Sequence, residues 1–398
     1  MKTFDKSFTQ QEPIDELGIE AAVKVMRSGR LHRYNRLGNE LTETDKLELE
    51  FSQLLGIPNV LACTSCGYAL SIALRAVGVE KGDSVLCNAF TLSPVPGAIY
   101  SCGGKTILVE MDGSYCIDLD DLERKAKQSN ARYLLLSHMR GHIVDMTRLM
   151  AIAKANKLIV IEDCAHTMGA EWDGQASGTF GDVACFSTQT YKHINSGEGG
   201  LLITPHDKVM AKAIIYSGSY MFFNTHKAAP QLSAFEGLYE QIPNCSGRMD
   251  NLRAAVLRPQ LATIEQRRND WNARYRVLEQ QLRQCDIVDI PVRDKKELFV
   301  GSSIQFRLPY FTVAQMQQVV TQCEQRGVML KWFGDNKPKG YTSQYTDWAY
   351  LGKPQALPQT THLLSTFLDM RIPLTFSLSD CHLIGEIITA VVREVHHA

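Results

Sequence analysis

Residues 158–200 read LIVIEDCAHTMGAEWDGQASGTFGDVACFSTQTYKHINSGEGG. The run Leu158-Ile159-Val160-Ile161 is apolar without alternation, as in a strand buried on both faces of a parallel sheet. It ends on a carboxylate pair, Glu162-Asp163, and His166 follows three residues later. In open α/β sheets ligands gather at the carboxyl ends of strands, so Asp163 and His166 stand where a ligand would be met. Further on come Gly178-x-x-Gly181-Asp182, Phe186-Ser187, Lys192 and Gly197-Glu198-Gly199-Gly200. A lysine between a strand and a glycine-rich turn is usually a surface cation. In surroundings that lower its pKa it is also a Schiff-base nucleophile.

The same alternation extends toward the N-terminus. Apolar strands are expected at Asn59–Cys63, Ser84–Cys87, Thr106–Glu110, Tyr133–Ser137 and 158–161. Helical stretches separate them at Tyr68–Val77, Val95–Ser101, Asp118–Gln128 and Thr147–Asn156. Strands alternating with helices of this length give βαβ units and a mostly parallel sheet. Amphipathic helices are expected ahead of them at Asp15–Ser28 and Leu41–Leu55. Thr64-Ser65-Cys66-Gly67 falls between a strand and a helix. Hydroxyls and unpaired N–H groups at a helix N-terminus hold anions; an ordinary N-cap looks the same.

The last third differs. Leu252–Cys285 is a long helical stretch in which Pro259 predicts a kink or a restart. A strand at Ile304–Leu308, a helix at Val313–Arg326, an apolar segment at Val328–Phe333 and a C-terminal helix at Ser379–Val395 follow. We expect a large domain over 1–255 and a smaller α+β domain over 256–398.

The 398 residues include 42 Lys+Arg and 43 Asp+Glu, a net charge of -1, with 44% hydrophobic residues. That balance excludes a disordered chain and argues against a nucleic-acid binder. No apolar run approaches the roughly 20 residues of a membrane helix. Eleven cysteines without a dense framework, and no apolar leader in the first twenty residues, point to the cytoplasm. No metal site is read: Cys63-x-x-Cys66 lacks a second ligand pair.

An anion turn, a strand-end aspartate and a lysine about 30 residues on fit one cofactor, pyridoxal 5′-phosphate (PLP). It needs donors for its phosphate, a carboxylate for its pyridine nitrogen and a lysine for its aldehyde. The order ED-x-A-H-x-x-GA, G-x-x-GD, FS, K, GEGG resembles the signature of the DegT/DnrJ/EryC1/StrS family of PLP-dependent sugar aminotransferases. Gly82-Asp83, Phe90-Thr91, His138-x-x-Gly141, Asp145-Met146 and Arg248-Met249 add to it. The resemblance is good over about residues 10 to 285 and loose beyond. It implies a fold-type I aminotransferase and a homodimer with active sites at the interface. Lys192 would carry the Schiff base, Asp163 would pair with the pyridine nitrogen, and His166 would lie near the phenolic oxygen. Ser65, Cys66, Gly67 and Ser187 would hold the phosphate, with Asn244 or Ser246 reaching the partner's site.

Departures from the family pattern bear on the substrate. Ser65-Cys66-Gly67 stands for Ser-Gly-Thr. Leu92 stands for a stacking aromatic, leaving Phe90 as the ring candidate. Ser246 replaces an asparagine, and Arg140 replaces a tyrosine. Arg30, Arg33, Tyr34, Arg140, His142, Lys331 and Trp332 are the candidate substrate contacts. Their cations predict an acidic acceptor. The family resemblance implies L-glutamate as donor and, through one relative, an octulosonate aminated to 8-amino-3,8-dideoxy-manno-octulosonate in lipopolysaccharide biosynthesis. The alternatives are a nucleotide-linked 3- or 4-keto-hexose as acceptor, or a PLP-dependent sugar dehydratase. Dehydratases of this superfamily often carry His at the lysine position, and this chain has Lys192.

Overall fold

A computed structural model describes residues 2–335 and 344–398. Its strands in chain order begin with β1 (Asn59–Cys63), β2 (Ser84–Asn88), β3 (Lys105–Val109), β4 (Tyr133–Ser137) and β5 (Ile159–Asp163). A small hairpin, β6 (Glu171–Trp172) and β7 (Gln175–Ala176), precedes β8 (Val183–Ser187) and β9 (Gly200–Thr204). Seven of these form one sheet in the order β1-β9-β8-β5-β4-β2-β3. Neighbours from β8 to β3 pair in parallel, whereas β9 runs antiparallel to both β1 and β8. Six strands therefore end, and β9 begins, at a single edge.

Side chains alternate across that sheet as the pleat requires. Tyr133 and Leu135 of β4 face one layer, with Leu70, Ala73 and Leu74 of the helix Cys66–Val77. Leu134 and Leu136 face the other, with Leu122 of the helix Leu119–Gln128 and Leu149 of the helix Met146–Ala155. Each fully buried leucine contributes about 2 kcal/mol by area removed from water. The outcome is a helix–sheet–helix sandwich.

The C-terminal part adds β10 (Glu297–Leu298), which joins the hairpin, and an antiparallel sheet. That sheet contains β11 (Ser303–Arg307), β12 (Lys331–Trp332) and β13 (Phe367–Arg371), in the order β11-β13-β12. The expected long helix is two, Asn251–Leu261 and Ile264–Leu282. Pro259 lies inside the first, and the break comes after it, at Ala262–Thr263. Proline withholds the N–H that would reach the Ala255 carbonyl and crowds that preceding turn, so its effect falls upstream of the break. The N-terminal arm returns to this region: Phe4, Phe8 and Phe376 pack edge to face, with ring centroids 4.9–5.8 Å apart. Among the described residues no helix is long and apolar enough to cross a membrane. All eleven cysteines are free, and nine are buried.

Candidate active site

The shared strand edge collects the residues singled out by the sequence. Register places Ser137 of β4 opposite Asp163 of β5, and Ser187 of β8 opposite Gly200 of β9, which also faces Cys63 of β1. Gly200 is required by this closeness. A Cβ there would lie 2.5 Å from the backbone nitrogen of Cys66.

Lys192 sits in the turn between β8 and β9, and its Nζ is 3.1 Å from Nε2 of His166. Burial, reinforced by the charge of Arg140 and opposed by Asp163, lowers the lysine to about 8. Burial and Lys192 together push His166 well below the ordinary histidine value, so the ring is neutral. Asp163 is 4% exposed. Its Oδ2 accepts from the Ser137 hydroxyl at 2.7 Å, and its Oδ1 accepts from the Ala165 N–H at 3.1 Å. Cys66 Sγ lies 3.9 Å from Oδ1.

Ser65 is the N-cap of the helix Cys66–Val77, its hydroxyl oxygen accepting from the N–H of Tyr68. Helix geometry leaves the N–H groups of the next two residues, Cys66 and Gly67, without intrahelical acceptors. Ser187 is buried at the end of β8. These groups form a cluster of anion donors beside Asp163.

Cations close in from the turn after β4 and from the C-terminal sheet. Arg140 adopts a left-handed backbone (φ 57°, ψ 22°) and reaches Asp369 of β13 at 2.7 Å. Lys331 pairs in register with Asp369, and burial and the Arg140 charge lower it to about 8. The guanidinium of Arg371 lies 3.9 Å over the ring of Tyr191, next to Lys192.

The packing corrects five expectations. The Arg33 side chain is fully buried and ion-paired to Glu48 at 2.8 Å, so it has no open face for a substrate. Tyr34 gives its hydroxyl to Ser219 and stacks on Phe222. His142 is held by Gln305 at 2.7 Å. The Trp332 indole N–H is consumed by the Ser365 carbonyl at 2.8 Å. Phe90 is 1% exposed and enclosed by Phe333 and Phe367, leaving half-buried Leu92 as the residue of that turn with a free face. Arg30 is ion-paired to Glu40 and lines a separate groove of about 980 Å³ between helices Glu16–Ser28, Glu43–Leu55 and Asn251–Leu261. Asn244 and Ser246 are exposed.

Several motif residues prove to be scaffold. Glu162 accepts from the N–H groups of Gly178, Phe180 and Gly181 at 2.7–3.1 Å and contacts His138 at 3.0 Å. Asp182 Oδ2 accepts from the N–H of Val160 at 2.9 Å. The strand-end glutamate and the G-x-x-GD loop are thus one clamp, which fixes the end of β5. Sequence reading missed Ser137, Asp369 and Arg371. Their only signal is a polar or charged residue within or closing a largely apolar strand, and that pattern names no partner.

The family model for the DegT/DnrJ/EryC1/StrS aminotransferase family matches residues 13–391. The chain belongs to this family. DegT-family aminotransferases are PLP-dependent. GDP-perosamine synthase of Caulobacter vibrioides is 30% identical over 222 residues, covering 56% of this chain and 57% of that protein. Matches to the first curated relatives span 39–65% of their lengths. Two solved structures share the fold of this DegT-family chain. One is 3-amino-5-hydroxybenzoic acid synthase (TM-score 0.82, 23% identity, covering 97% of this chain and 98% of that one). The other is GDP-4-keto-6-deoxymannose-3-dehydratase with a trapped PLP-glutamate geminal diamine (TM-score 0.81, 16% identity, covering 96% and 100%).

Proposed function

We propose that this protein is a PLP-dependent aminotransferase that moves an amino group from L-glutamate to a keto- or aldehydo-sugar. The observation that carries the reading is the Lys192–His166 contact beside buried Asp163, at the edge where the N–H groups of Cys66 and Gly67 open. The donor set fits PLP: a primary amine close to neutrality, a buried carboxylate, and hydroxyl and N–H donors at a helix start. When bound, PLP supplies an aldehyde and an electron-accepting ring. Asp163 would present its carboxylate to the pyridine nitrogen. Ser65, Cys66, Gly67 and Ser187 would donate to the phosphate. Lys192 Nζ would move a proton between the substrate's Cα and the cofactor's C4′, in one direction for the donor and in reverse for the acceptor, a role its value of about 8 suits at physiological pH. Neutral His166 fixes that amine by accepting from it.

For the acceptor we favour an acidic sugar, an octulosonate yielding 8-amino-3,8-dideoxy-manno-octulosonate for lipopolysaccharide. Arg140 and Arg371 support this, since guanidinium groups grip carboxylates in bidentate geometry, and Lys331 adds an amine as a point charge. The same reading makes the protein a cytoplasmic homodimer in which the Asn244–Ser246 loop reaches the partner's site. A nucleotide-linked keto-hexose is the second reading, favoured by the likeness to GDP-perosamine synthase. Purified protein should be yellow, bleach with glutamate, and carry the borohydride-reduced cofactor on Lys192. The Lys192→Ala variant should lose turnover, and full activity in it would overturn the assignment. Turnover of nucleotide-linked keto-sugars alone, with none of the 8-oxo sugar acid, would replace the acidic acceptor with the second reading.

A further inference from the structure

We propose that Ser137 is a positioning residue for Asp163, acting as the last link of a directed hydroxyl relay that begins at Thr91. This rests on the reading above, in which Asp163 faces the pyridine nitrogen. β4 runs Tyr-Leu-Leu-Leu and then closes on Ser137, which is 4% exposed. A hydroxyl enclosed to that degree is costly without partners, and here each partner is specific. Asn88, at the end of β2, clamps the residue on both sides. Its Oδ1 accepts from the Ser137 N–H at 2.9 Å, and its Nδ2 donates to the Ser137 carbonyl at 3.0 Å. The Thr91 hydroxyl donates to Ser137 Oγ at 2.8 Å, and Ser137 Oγ donates to Asp163 Oδ2 at 2.7 Å.

The order of donation matters. Each hydroxyl has one proton to give. With the Thr91 proton aimed at Ser137, the Ser137 proton is left for Asp163. Asp163 Oδ1 is taken by the Ala165 N–H and faces Cys66 Sγ. Both carboxylate oxygens are therefore assigned, and rotation of the group about its terminal torsion is blocked. The relay, with its Asn88 clamp, ties β2 and the turn that follows it to β4 and β5, at the edge where the chemistry takes place. An apolar residue at 137 would keep the strand and lose the lock.

The test compares PLP-loaded wild type with Ser137→Ala, Ser137→Thr and Thr91→Val. Readouts are the pH titration of the cofactor's visible band, the PLP dissociation constant, and the single-turnover rate with glutamate. Losing a hydrogen bond to a charged group should slow the single turnover about ten-fold or more in Ser137→Ala, with a shifted band titration. Ser137→Thr keeps the hydroxyl and should recover both. A Ser137→Ala protein that titrates and turns over as wild type overturns the proposal. If circular dichroism shows that variant unfolded, Thr91→Val decides: a shifted band supports the relay and an unshifted one overturns it. Wild type lacking a reducible link to Lys192 would instead remove the functional reading itself.

Discussion

At the scale of single residues, two buried cations behave oppositely because their partners differ. Arg33 has Glu48 in contact, and His226 lies 3.1 Å from the same carboxylate. Burial alone would raise Glu48, but Arg33 and His226 outweigh it and hold the carboxyl down to about 2. A carboxyl depressed in the folded state stabilises above its unfolded value of about 4.5. That contribution is lost as pH falls from there toward about 2, so Glu48→Gln should flatten acid unfolding in that window. Glu48→Ala leaves a buried guanidinium unpaired and should cost about 3–5 kcal/mol in denaturant titration. Among the described residues no carboxylate is in contact with Lys192, and burial dominates. Because only the neutral amine attacks an aldehyde, the rate of PLP capture should rise as pH rises through about 8. A capture rate flat across that range would contradict the depressed value. Type and spacing named Lys192, Asp163 and His166 as candidates. They could not separate Arg33, which is locked to a glutamate on the next helix, from Arg140, which turns toward Lys192.

At the scale of elements, the strand-and-turn motif is held by geometry that composition only hints at. Gly178 has φ +89°, and a Cβ there would lie 2.5 Å from the Phe186 ring. A Cβ on Gly181 would lie 2.6 Å from the Val160 carbonyl oxygen. Gly181→Ala must therefore move backbone, whereas Glu162→Gln keeps the shape and weakens three N–H bonds. We expect Glu162→Gln to lower stability by about 2 kcal/mol in thermal denaturation and Gly181→Ala to lower it at least as much. The strands β1 and β4 were legible to the residue, because fully buried apolar runs bounded by turns admit little else. The reversed direction of β9 was not, since an apolar run reads the same both ways. His142 and Trp332 were misplaced for a related reason: Gln305 and Ser365, which hold them, lie far away in sequence.

At the scale of the whole molecule, the proposed homodimer makes a prediction that no single chain can satisfy. If Asn244 and Ser246 act across the interface, Lys192→Ala protein and an Asn244→Ala/Ser246→Ala protein should each be impaired. Mixed and allowed to exchange subunits, they should regain activity, since hybrids pair one intact lysine with one intact loop. No recovery after verified exchange would place that loop within its own chain's site. The free cysteines have a further consequence. Nine thiols are enclosed, and burial raises the half-buried Cys102 thiol. Since thiolate is the reactive form, an alkylating reagent should find at most Cys102 and Cys245 in the native protein, and all eleven once it unfolds. The molecule carries its own built-in dye-free clock: mass added per chain over time counts how often, and how completely, the sandwich opens.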